Sequence, residues 1–289
     1  MASTIRFPIL INTFLAFLQK YDWRGKHKFY LWLTRKYPHK VIGHKIDDRA
    51  FFVPVGEWCF WLEKGPENYY LDEFLPFCQV INQLNHPFVF FDLGADIGTV
   101  TSLVARNCPT LSHVIAFEPN PKSFDILLTN LAQLTVTSVS VNAAVSDYNG
   151  TTAFHADSDR LNDHEGYIES GIEGDTQVFT LDDWSETQDN KMGAETIVLK
   201  IDVEGQEIQT LKGATRLIKA AKAVILLIEV HPDVLRRTNN TADELFEAAE
   251  LTRDFIWQVP LCNGLIIDRT KPLFQQIPEG QYDIIGVTS

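Results

Sequence analysis

Short apolar runs alternate with longer amphipathic segments from about residue 86 onwards. The run Phe88 to Asp92 is apolar except at its last position, as expected for a strand that is covered on both faces. Ile97 to Asn107 instead places its apolar residues at helical spacing. The same patterns predict further strands at 113–118, 136–145, 196–202, 223–229, 255–259 and 265–267, and further helices at 123–134, 206–221 and 241–252. This order is typical of βαβ units and predicts an α/β fold with a mostly parallel sheet flanked by helices.

Basic side chains are concentrated at the N-terminus. Residues 1–50 contain ten Lys or Arg and three Asp, a net charge of +7, while the whole chain carries −13, so the remainder carries −20. This asymmetry marks the N-terminal segment as a separate unit. Because the α/β pattern begins near residue 86, we predict a basic helical cap over residues 1–85 and a separate α/β domain over residues 86–289. The apolar stretch Phe7 to Leu18 is shorter than the roughly 20 residues of a membrane-spanning helix. We therefore expect a cytoplasmic protein whose N-terminal region either contacts the inner face of an anionic membrane or only caps the sheet.

The composition excludes several function classes. The chain has 25 Lys and Arg against 38 Asp and Glu, which opposes binding to the phosphate backbone of a nucleic acid. Its four cysteines form no CxxC pair, so neither a zinc cluster nor a disulfide framework is indicated. Residues 156–176 are rich in Asp, Glu, Gly and Ser and interrupt the α/β pattern, which predicts an acidic insertion of the kind that forms lids.

Glycines and acids follow the first predicted strand, at the position where an open α/β sheet binds ligands. Between that strand and the next helix the sequence places Asp92, Gly94, Ala95, Asp96 and Gly98. The segment lacks both the Lys-Ser/Thr ending of a P-loop and the glycine spacing of the dinucleotide fingerprint. Because two carboxylates would repel a pyrophosphate, a cationic ligand such as S-adenosylmethionine suits this turn better.

The next two strand ends extend the candidate ligand site. Glu118 follows Gly98 by 20 residues, the spacing of an acidic residue that binds a ribose diol. Pro119 lies beside it, and Asn142 and Ala143, at the end of the third strand, would border the adenine ring. Adenosine binding is the favoured interpretation. The alternative is that the acids only satisfy N–H groups of turns and helix ends.

Acidic residues also end the two later strands. Asp202 and Glu204 follow one strand, and Glu229 and His231 follow the next. Asp202, Glu229 and His231 could converge on one side of the cleft, where they would deprotonate a hydroxyl or hold a divalent cation such as Mg²⁺. The alternatives are a helix cap for Asp202 and a structural hydrogen bond for His231.

Together these segments resemble the FkbM family of S-adenosylmethionine-dependent methyltransferases. The matching segments are FDLGADIGTVTSLVAR (91–106), VIAFEPNPKSFDILLTN (114–130), VNAAVSDYNGTTAF (141–154), SG (170–171), TLDDW (180–184), VLKIDVEGQEIQTLKGA (198–214) and ILLIEVHP (225–232). The resemblance covers about residues 88–232, and FEPNP followed by KIDVEG makes it specific. It implies a class I methyltransferase fold with a seven-stranded sheet that has one antiparallel strand, and it implies methylation of a hydroxyl, often on a glycan sugar.

The resemblance also implies roles for individual residues. Glu118 would bind the ribose hydroxyls, and Asp202 and Glu204 belong to the most characteristic motif of the family, near the reaction centre. The methionine part of the cofactor would be held by Asp92, Gly94, Asp96 and Gly98. Asp96 departs from the family, which commonly has Asn at that position.

The expected activity is therefore O-methylation of a sugar or glycan acceptor. A nucleotide-dependent oxidoreductase is a second interpretation, which the acids of the first turn disfavour. A third is a scaffold in a glycan-assembly complex that binds an adenosyl ligand without turnover.

Overall fold

The computed structural model describes residues 5–156, 161, 166–169, 171–188 and 195–288. Its helices are α1 Ile9–Lys20, α2 Lys26–Lys36, α3 Trp58–Leu62, α4 Leu71–Asn82, α5 Thr99–Asn107, α6 Pro121–Leu131, α7 Leu181–Glu186, α8 Glu207–Lys212, α9 Thr215–Ala220, α10 Pro232–Thr238, α11 Ala242–Glu250 and α12 Leu273–Gln276. Its strands are β1 Val41–Ile46, β2 Arg49–Pro54, β3 Phe88–Leu93, β4 Leu111–Phe117, β5 Thr137–Val141, β6 Ala144–Val145, β7 Gly150–His155, β8 Tyr167–Glu169, β9 Thr176–Phe179, β10 Thr196–Ile201, β11 Val224–Val230, β12 Phe255–Val259, β13 Leu265–Ile266 and β14 Tyr282–Thr288.

Within the described residues, the central sheet has eight strands in the order β13-β12-β14-β11-β10-β3-β4-β5. The pairs from β11 through β10, β3 and β4 to β5 are all parallel. β14 runs antiparallel between β11 and β12. Apart from the two-residue β13 at the edge, this is the seven-stranded sheet with one antiparallel strand that the family resemblance implies. The predicted class I methyltransferase fold is therefore confirmed.

Both faces of the central sheet are covered, which explains the continuously apolar runs. Every residue of β3 and of β10 is buried. Along β3, Phe91 packs in the cluster on one face with Leu199, while its neighbour Phe90 packs in the cluster on the other face with Phe77 of α4. Successive side chains of a strand point to opposite faces, so each strand contributes to two separate cores.

The N-terminal region differs from the predicted helical cap, because β1 and β2 form an antiparallel hairpin within it. The hairpin and α1 to α3 share an apolar cluster that also includes Ile97 and Ile126 of the α/β part. α4 instead packs in a core of the central sheet. The boundary at residue 85 therefore stays a prediction. In the described part of the chain, none of the helices combines the length and the apolar composition needed to cross a bilayer.

Other elements also differ from the sequence-based expectation. The helix predicted at 206–221 is divided into α8 and α9 at Gly213, which packs so closely that a Cβ there would lie 2.1 Å from the carbonyl oxygen of Ser146. The strand predicted at 136–145 is divided into β5 and β6, and β6 joins a second sheet of order β6-β9-β7-β8. Of the predicted insertion at 156–176, residues 157–160, 162–165 and 170 lie outside the described residues.

A close backbone contact at Gly94 positions the end of β3 against the end of β10. Gly94 has φ +75°, and a Cβ there would lie 1.8 Å from the carbonyl oxygen of Asp202. No non-glycine side chain fits unless the two chain segments separate. The carboxyl ends of two neighbouring strands can therefore meet only because residue 94 is a glycine.

Gly94→Ala is expected to lower the free energy of unfolding by about 3 kcal/mol or more, because it combines left-handed strain with a backbone clash. Urea denaturation measures the loss. Gly264→Ala is the matched control, since Gly264 has φ +68° but no heavy atom within 4 Å of an added Cβ. Left-handed strain alone costs about 1–2 kcal/mol. Equal losses in the two variants would contradict the close contact.

Candidate active site

A cleft opens at the carboxyl ends of β3, β4, β5 and β10, where the sequence predicted a ligand site. Its empty volume, including space open to solvent, is about 870 Å³. The predicted site residues that line the cleft are Gly94, Ala95, Asp96, Glu118, Pro119, Ala143, Asp202 and Glu204. Asp92 and Gly98 instead support the turn between β3 and α5, and Asn142, Glu229 and His231 lie at neighbouring strand ends.

The turn between β3 and α5 is fastened to the end of β4. The backbone N–H groups of Gly94 and Ala95 donate to the carbonyl oxygen of Phe117 at 3.1 and 2.9 Å. Asp96 has φ 45°, and its backbone N–H donates to the Glu118 carboxylate at 2.8 Å. Gly98, at φ +85°, precedes the first residue of α5. Hydrogen bonds from the backbone N–H groups of the turn thus hold its shape, and Asp96 lines the cleft.

Glu118 is 6% exposed and bonded at both carboxylate oxygens. Oε2 accepts from the N–H of Asp96 and Oε1 from the N–H of Asn120, each at 2.8 Å. Burial, with the nearby charge of Asp96, raises the pKa of Glu118 to about 8, although the two N–H donors oppose the rise. Each oxygen keeps a second lone pair, so the carboxylate can still accept from ligand hydroxyls.

Asn142 supports the same strand end from outside the cleft. Its side-chain amide donates to the carbonyl oxygens of Glu118 at 2.8 Å and Pro119 at 3.1 Å. The sequence suggested that Asn142 borders the adenine. The structure instead gives its amide a backbone role, while Ala143, fully buried, lies on the cleft wall.

A buried lysine that the sequence analysis missed links the two halves of the cleft. Lys200 is 5% exposed, and its Nζ donates to the carbonyl oxygen of Gly94 at 2.7 Å. The same Nζ lies 2.9 Å from Oδ2 of Asp202 and 3.6 Å from Oδ1 of Asp92. Burial alone would lower the pKa of Lys200, but the carboxylates of Asp202 and Asp92 outweigh it and hold the pKa above its usual value.

Asp92 lies behind the turn and has no exposed surface. Its Oδ2 accepts from the hydroxyl of Thr101 at 2.5 Å. Burial raises the pKa of Asp92, and the charge of Lys200 and the hydrogen bond from Thr101 partly offset this rise. Asp92 therefore holds Lys200 and α5 in place and does not face the cleft itself.

The acidic residues after β10 and β11 converge, but not in the predicted combination. Asp202, Glu204 and Glu229 each offer a carboxylate oxygen, and these oxygens lie within 4.8 Å of one another. The structure does not place His231 in this group. Its Nδ1 accepts from the N–H of Asp233 at 3.2 Å and caps α10, which is the structural alternative considered from the sequence.

The turn after β10 brings Glu204 into the acidic group. Glu204 adopts φ 52°, and Glu207 holds the turn by accepting from the N–H groups of Val203 at 3.2 Å and Gly205 at 3.0 Å. Arg237 donates to the carbonyl oxygen of Glu204 at 2.8 Å, and its guanidinium lies 3.7 Å from the Glu204 carboxylate. The left-handed turn points Glu204 back towards Asp202.

Glu229 shares its strand end with a second acid. Its register partner on β14 is Asp283, and Gln281 donates to the Glu229 carboxylate. Burial, together with the charges of Asp202, Asp283 and Glu204, raises the pKa of Glu229 well above its usual value. Burial and the charges of Glu73 and Asp202 do the same for Asp283. These two acids therefore keep their protons to higher pH than ordinary carboxyl groups.

Two tyrosines outside the strong family resemblance also line the cleft. Tyr69 comes from the N-terminal region and Tyr167 from β8 of the second sheet. The guanidinium of Arg237 lies 4.6 Å from the centre of the Tyr167 ring, within cation–π range. Neither tyrosine follows a predicted strand of the central sheet, so no local sequence signal marked them.

The family described as Methyltransferase FkbM domain matches residues 92–252. The hexuronic acid methyltransferase AglP of Haloferax volcanii is 29% identical over 168 residues, which are 57% of this chain and 67% of that protein.

Two solved structures are also similar to this chain. The methyltransferase FkbM of Methylobacillus flagellatus has a TM-score of 0.42 at 18% identity, covering 70% of this chain but only 43% of that one. TYW2 of M. jannaschii, in complex with AdoMet, has a TM-score of 0.39 at 13% identity, covering 86% of this chain and 84% of that one. Both TM-scores are below 0.5, so the family assignment depends on the sequence match. Since that match spans more than half of the chain, this protein belongs to the FkbM methyltransferase family.

Proposed function

We propose that this methyltransferase transfers the methyl group of S-adenosylmethionine to a hydroxyl of a sugar or glycan acceptor. The observation that carries the proposal is the position of Asp202. Its carboxylate lines the cleft, and it is tied through Lys200 to the turn that would hold the cofactor. The name of the Haloferax relative, a hexuronic acid methyltransferase, supports a sugar as the acceptor.

The residues of the cleft fit S-adenosylmethionine, which supplies a methyl group on a positively charged sulfur. Asp96 and Asp202 give the cleft negative charge near the turn, which suits a ligand with a sulfonium and an ammonium. Glu118 keeps lone pairs for the ribose hydroxyls. Phe117, Ala143 and Val145 give the cleft an apolar side for the adenine ring. We assign the cofactor site to these residues.

Asp202 is the residue that would receive the acceptor proton. As a hydroxyl oxygen attacks a methyl group, the oxygen becomes positive and its proton becomes strongly acidic, so a carboxylate is a sufficient base. Burial raises the pKa of Glu229 above its usual value, so Glu229 would donate a hydrogen bond to the acceptor while it keeps its proton. His231 is left out of this assignment because its Nδ1 caps α10.

The acidic group suits a divalent cation less well than the sequence suggested. Asp202 is paired with Lys200 and Glu204 with Arg237, while the pKa of Glu229 is raised. A metal ion would have to displace both cations and the proton. We therefore propose a mechanism without a metal ion.

The acceptor would be selected by the parts of the chain that lie outside the strong family resemblance. Tyr69 and Tyr167 belong to these parts and line the cleft. Each of these tyrosines offers an aromatic ring and a hydroxyl, which suits a sugar because a sugar has both apolar and polar faces.

S-Adenosylhomocysteine is expected to bind the wild-type protein more tightly as pH rises through about 8, because Glu118 loses its proton and then accepts from both ribose hydroxyls. If only the ionised form binds, the affinity at pH 6.5 is at least about tenfold below that at pH 8.5. Calorimetric titrations across this range measure it.

Glu118→Gln is the matched control for this titration. The substitution keeps the shape of the side chain but removes the carboxyl group that titrates. The groups of the ligand titrate in the same way with both proteins. The affinity of the variant should be lower than that of the ionised wild type and should follow only the pH dependence of the ligand. An identical pH dependence in both proteins would contradict the role of Glu118. Selective binding of NAD instead would favour the oxidoreductase.

Asp202→Asn is expected to lower kcat by about 100-fold or more, since it removes the proton acceptor while keeping the side-chain shape. Turnover is measured as methyl transfer to a panel of hexose- and hexuronic acid-containing glycans at saturating S-adenosylmethionine. Saturation separates the proton-transfer role of Asp202 from any part in binding the cofactor.

His231→Asn is the companion variant, because Asn also caps helices and preserves the start of α10. It should retain turnover within about threefold, whereas a general-base role for His231 would predict a loss as large as that of Asp202→Asn. Full activity of Asp202→Asn would refute its assignment. If EDTA abolishes wild-type turnover and Mg²⁺ recovers it, the result would support a catalytic divalent cation. Cofactor binding with no turnover on any acceptor would favour the scaffold.

A further inference from the structure

Helix α1 exposes large apolar side chains along one face. Leu10, Phe14, Phe17 and Tyr21 are 86%, 57%, 57% and 55% exposed. Their spacing of four, three and four residues places them on a single side of the helix and its end. A surface helix normally turns its apolar face to the core and its polar face to water. α1 buries Leu15 towards the protein and is apolar on the opposite side as well.

Helix α2 presents a mixed basic and apolar face. Leu31 and Trp32 are 39% and 50% exposed, and Lys28 and Arg35 are exposed at neighbouring helical positions. The ammonium of Lys36 lies 5.0 Å from the centre of the Trp32 ring. Exposed Trp with Lys and Arg around it is typical of helices that lie in the interface of a membrane.

The two helices lie side by side in opposite directions. Near the start of α1 and the end of α2, the rings of Phe7 and Tyr37 are 5.4 Å apart. At the other end, Lys26 donates to the carbonyl oxygen of Gln19 at 2.9 Å. Both helices bury their inner sides in the same apolar cluster. We call the exposed outer sides of the two helices together the apolar-basic face.

The apolar-basic face carries both features that an anionic lipid surface attracts. Its exposed apolar side chains include Leu10, Phe14, Phe17 and Trp32, and its exposed basic side chains include Lys28 and Arg35. The surrounding residues 1–50 carry +7 and the rest of the chain −20. A negative surface would attract this side of the protein and repel the opposite side, so electrostatics would orient the approach.

We propose that the apolar-basic face binds the surface of a membrane that contains anionic lipid, with α1 and α2 lying in the plane of the bilayer. The exposed aromatic and aliphatic side chains enter the boundary between headgroups and acyl chains, and the Lys and Arg side chains contact lipid phosphates. Pairing with a second copy through this face fits less well, because a two-fold interface brings each basic patch against its own copy.

Co-sedimentation of the full-length protein with vesicles tests the proposal. Vesicles of phosphatidylcholine with about 30 mol% phosphatidylglycerol should bind the protein, because their surface is negatively charged. Vesicles of phosphatidylcholine alone should bind it much more weakly. Phe14→Ser with Phe17→Ser should lower the partition coefficient at least about tenfold. Lys28→Glu with Arg35→Glu should lower it about as much, and only on the anionic vesicles.

Leu251→Ser with Ile256→Ser is the matched control, since these side chains are 64% and 54% exposed but lie outside the apolar-basic face. This variant should bind like the wild type. Because all the substituted side chains are exposed, circular dichroism should show unchanged folding. The proposal would be overturned if the control variant lost as much vesicle binding, or if the α1 substitutions did not change vesicle binding. It would also be overturned if the wild-type protein did not prefer anionic vesicles. A dimer in sedimentation equilibrium that Phe14→Ser with Phe17→Ser dissociates would assign the face to a second copy.

Discussion

The ammonium of Lys200 is the interaction on which the rest of the site depends. A buried charge is stable only when it is paired and hydrogen-bonded. Lys200 meets that requirement with the carboxylates of Asp92 and Asp202 and the carbonyl oxygen of Gly94. These partners come from β3, from the turn after it and from the end of β10. The need to neutralise one buried charge therefore fixes the turn after β3 relative to the acid at the end of β10.

Among the described residues, the cleft and the neighbouring strand ends contain more carboxyl groups than cations, and burial makes several of these carboxyl groups keep their protons to higher pH. The pKa values of Glu118, Glu229 and Asp283 are all raised, with burial as the largest cause. Asp202 lies 2.9 Å from the ammonium of Lys200 and forms an ion pair with it. An acid that keeps its proton can donate a hydrogen bond, which is the role we propose for Glu229.

The central sheet could be predicted from the sequence because its strands are continuously apolar and its motifs follow one another in a specific order. The strand-end acids Asp202, Glu204 and Glu229 were recognisable for the same reason. The sequence did not show that Glu204, and not His231, joins Asp202 and Glu229. That difference depends on the left-handed backbone of Glu204 and on the helix cap at His231. Such backbone details have no periodic signal in the sequence.

Lys200 and Tyr69 were missed for different physical reasons. Lys200 lies in a strand, Thr196–Ile201, that is otherwise mostly apolar. A single lysine in such a strand gives no sign of a functional contact, because its partners lie in other segments of the chain. Tyr69 lies far from the strand ends in sequence and reaches the cleft through the packing of the N-terminal region. The hairpin of β1 and β2, in a region expected to be helical, also depends on its contacts with α1 and α6.

A double-mutant cycle on Lys200 and Asp92 tests most directly whether the buried ammonium organises the site. Lys200→Met alone should lower the free energy of unfolding by about 3–5 kcal/mol, because Asp92 then stays buried without its cation. Adding Asp92→Asn should recover part of that loss, with an interaction energy of about 1–3 kcal/mol in urea denaturation. Strictly additive effects of the two substitutions would contradict the central role of Lys200.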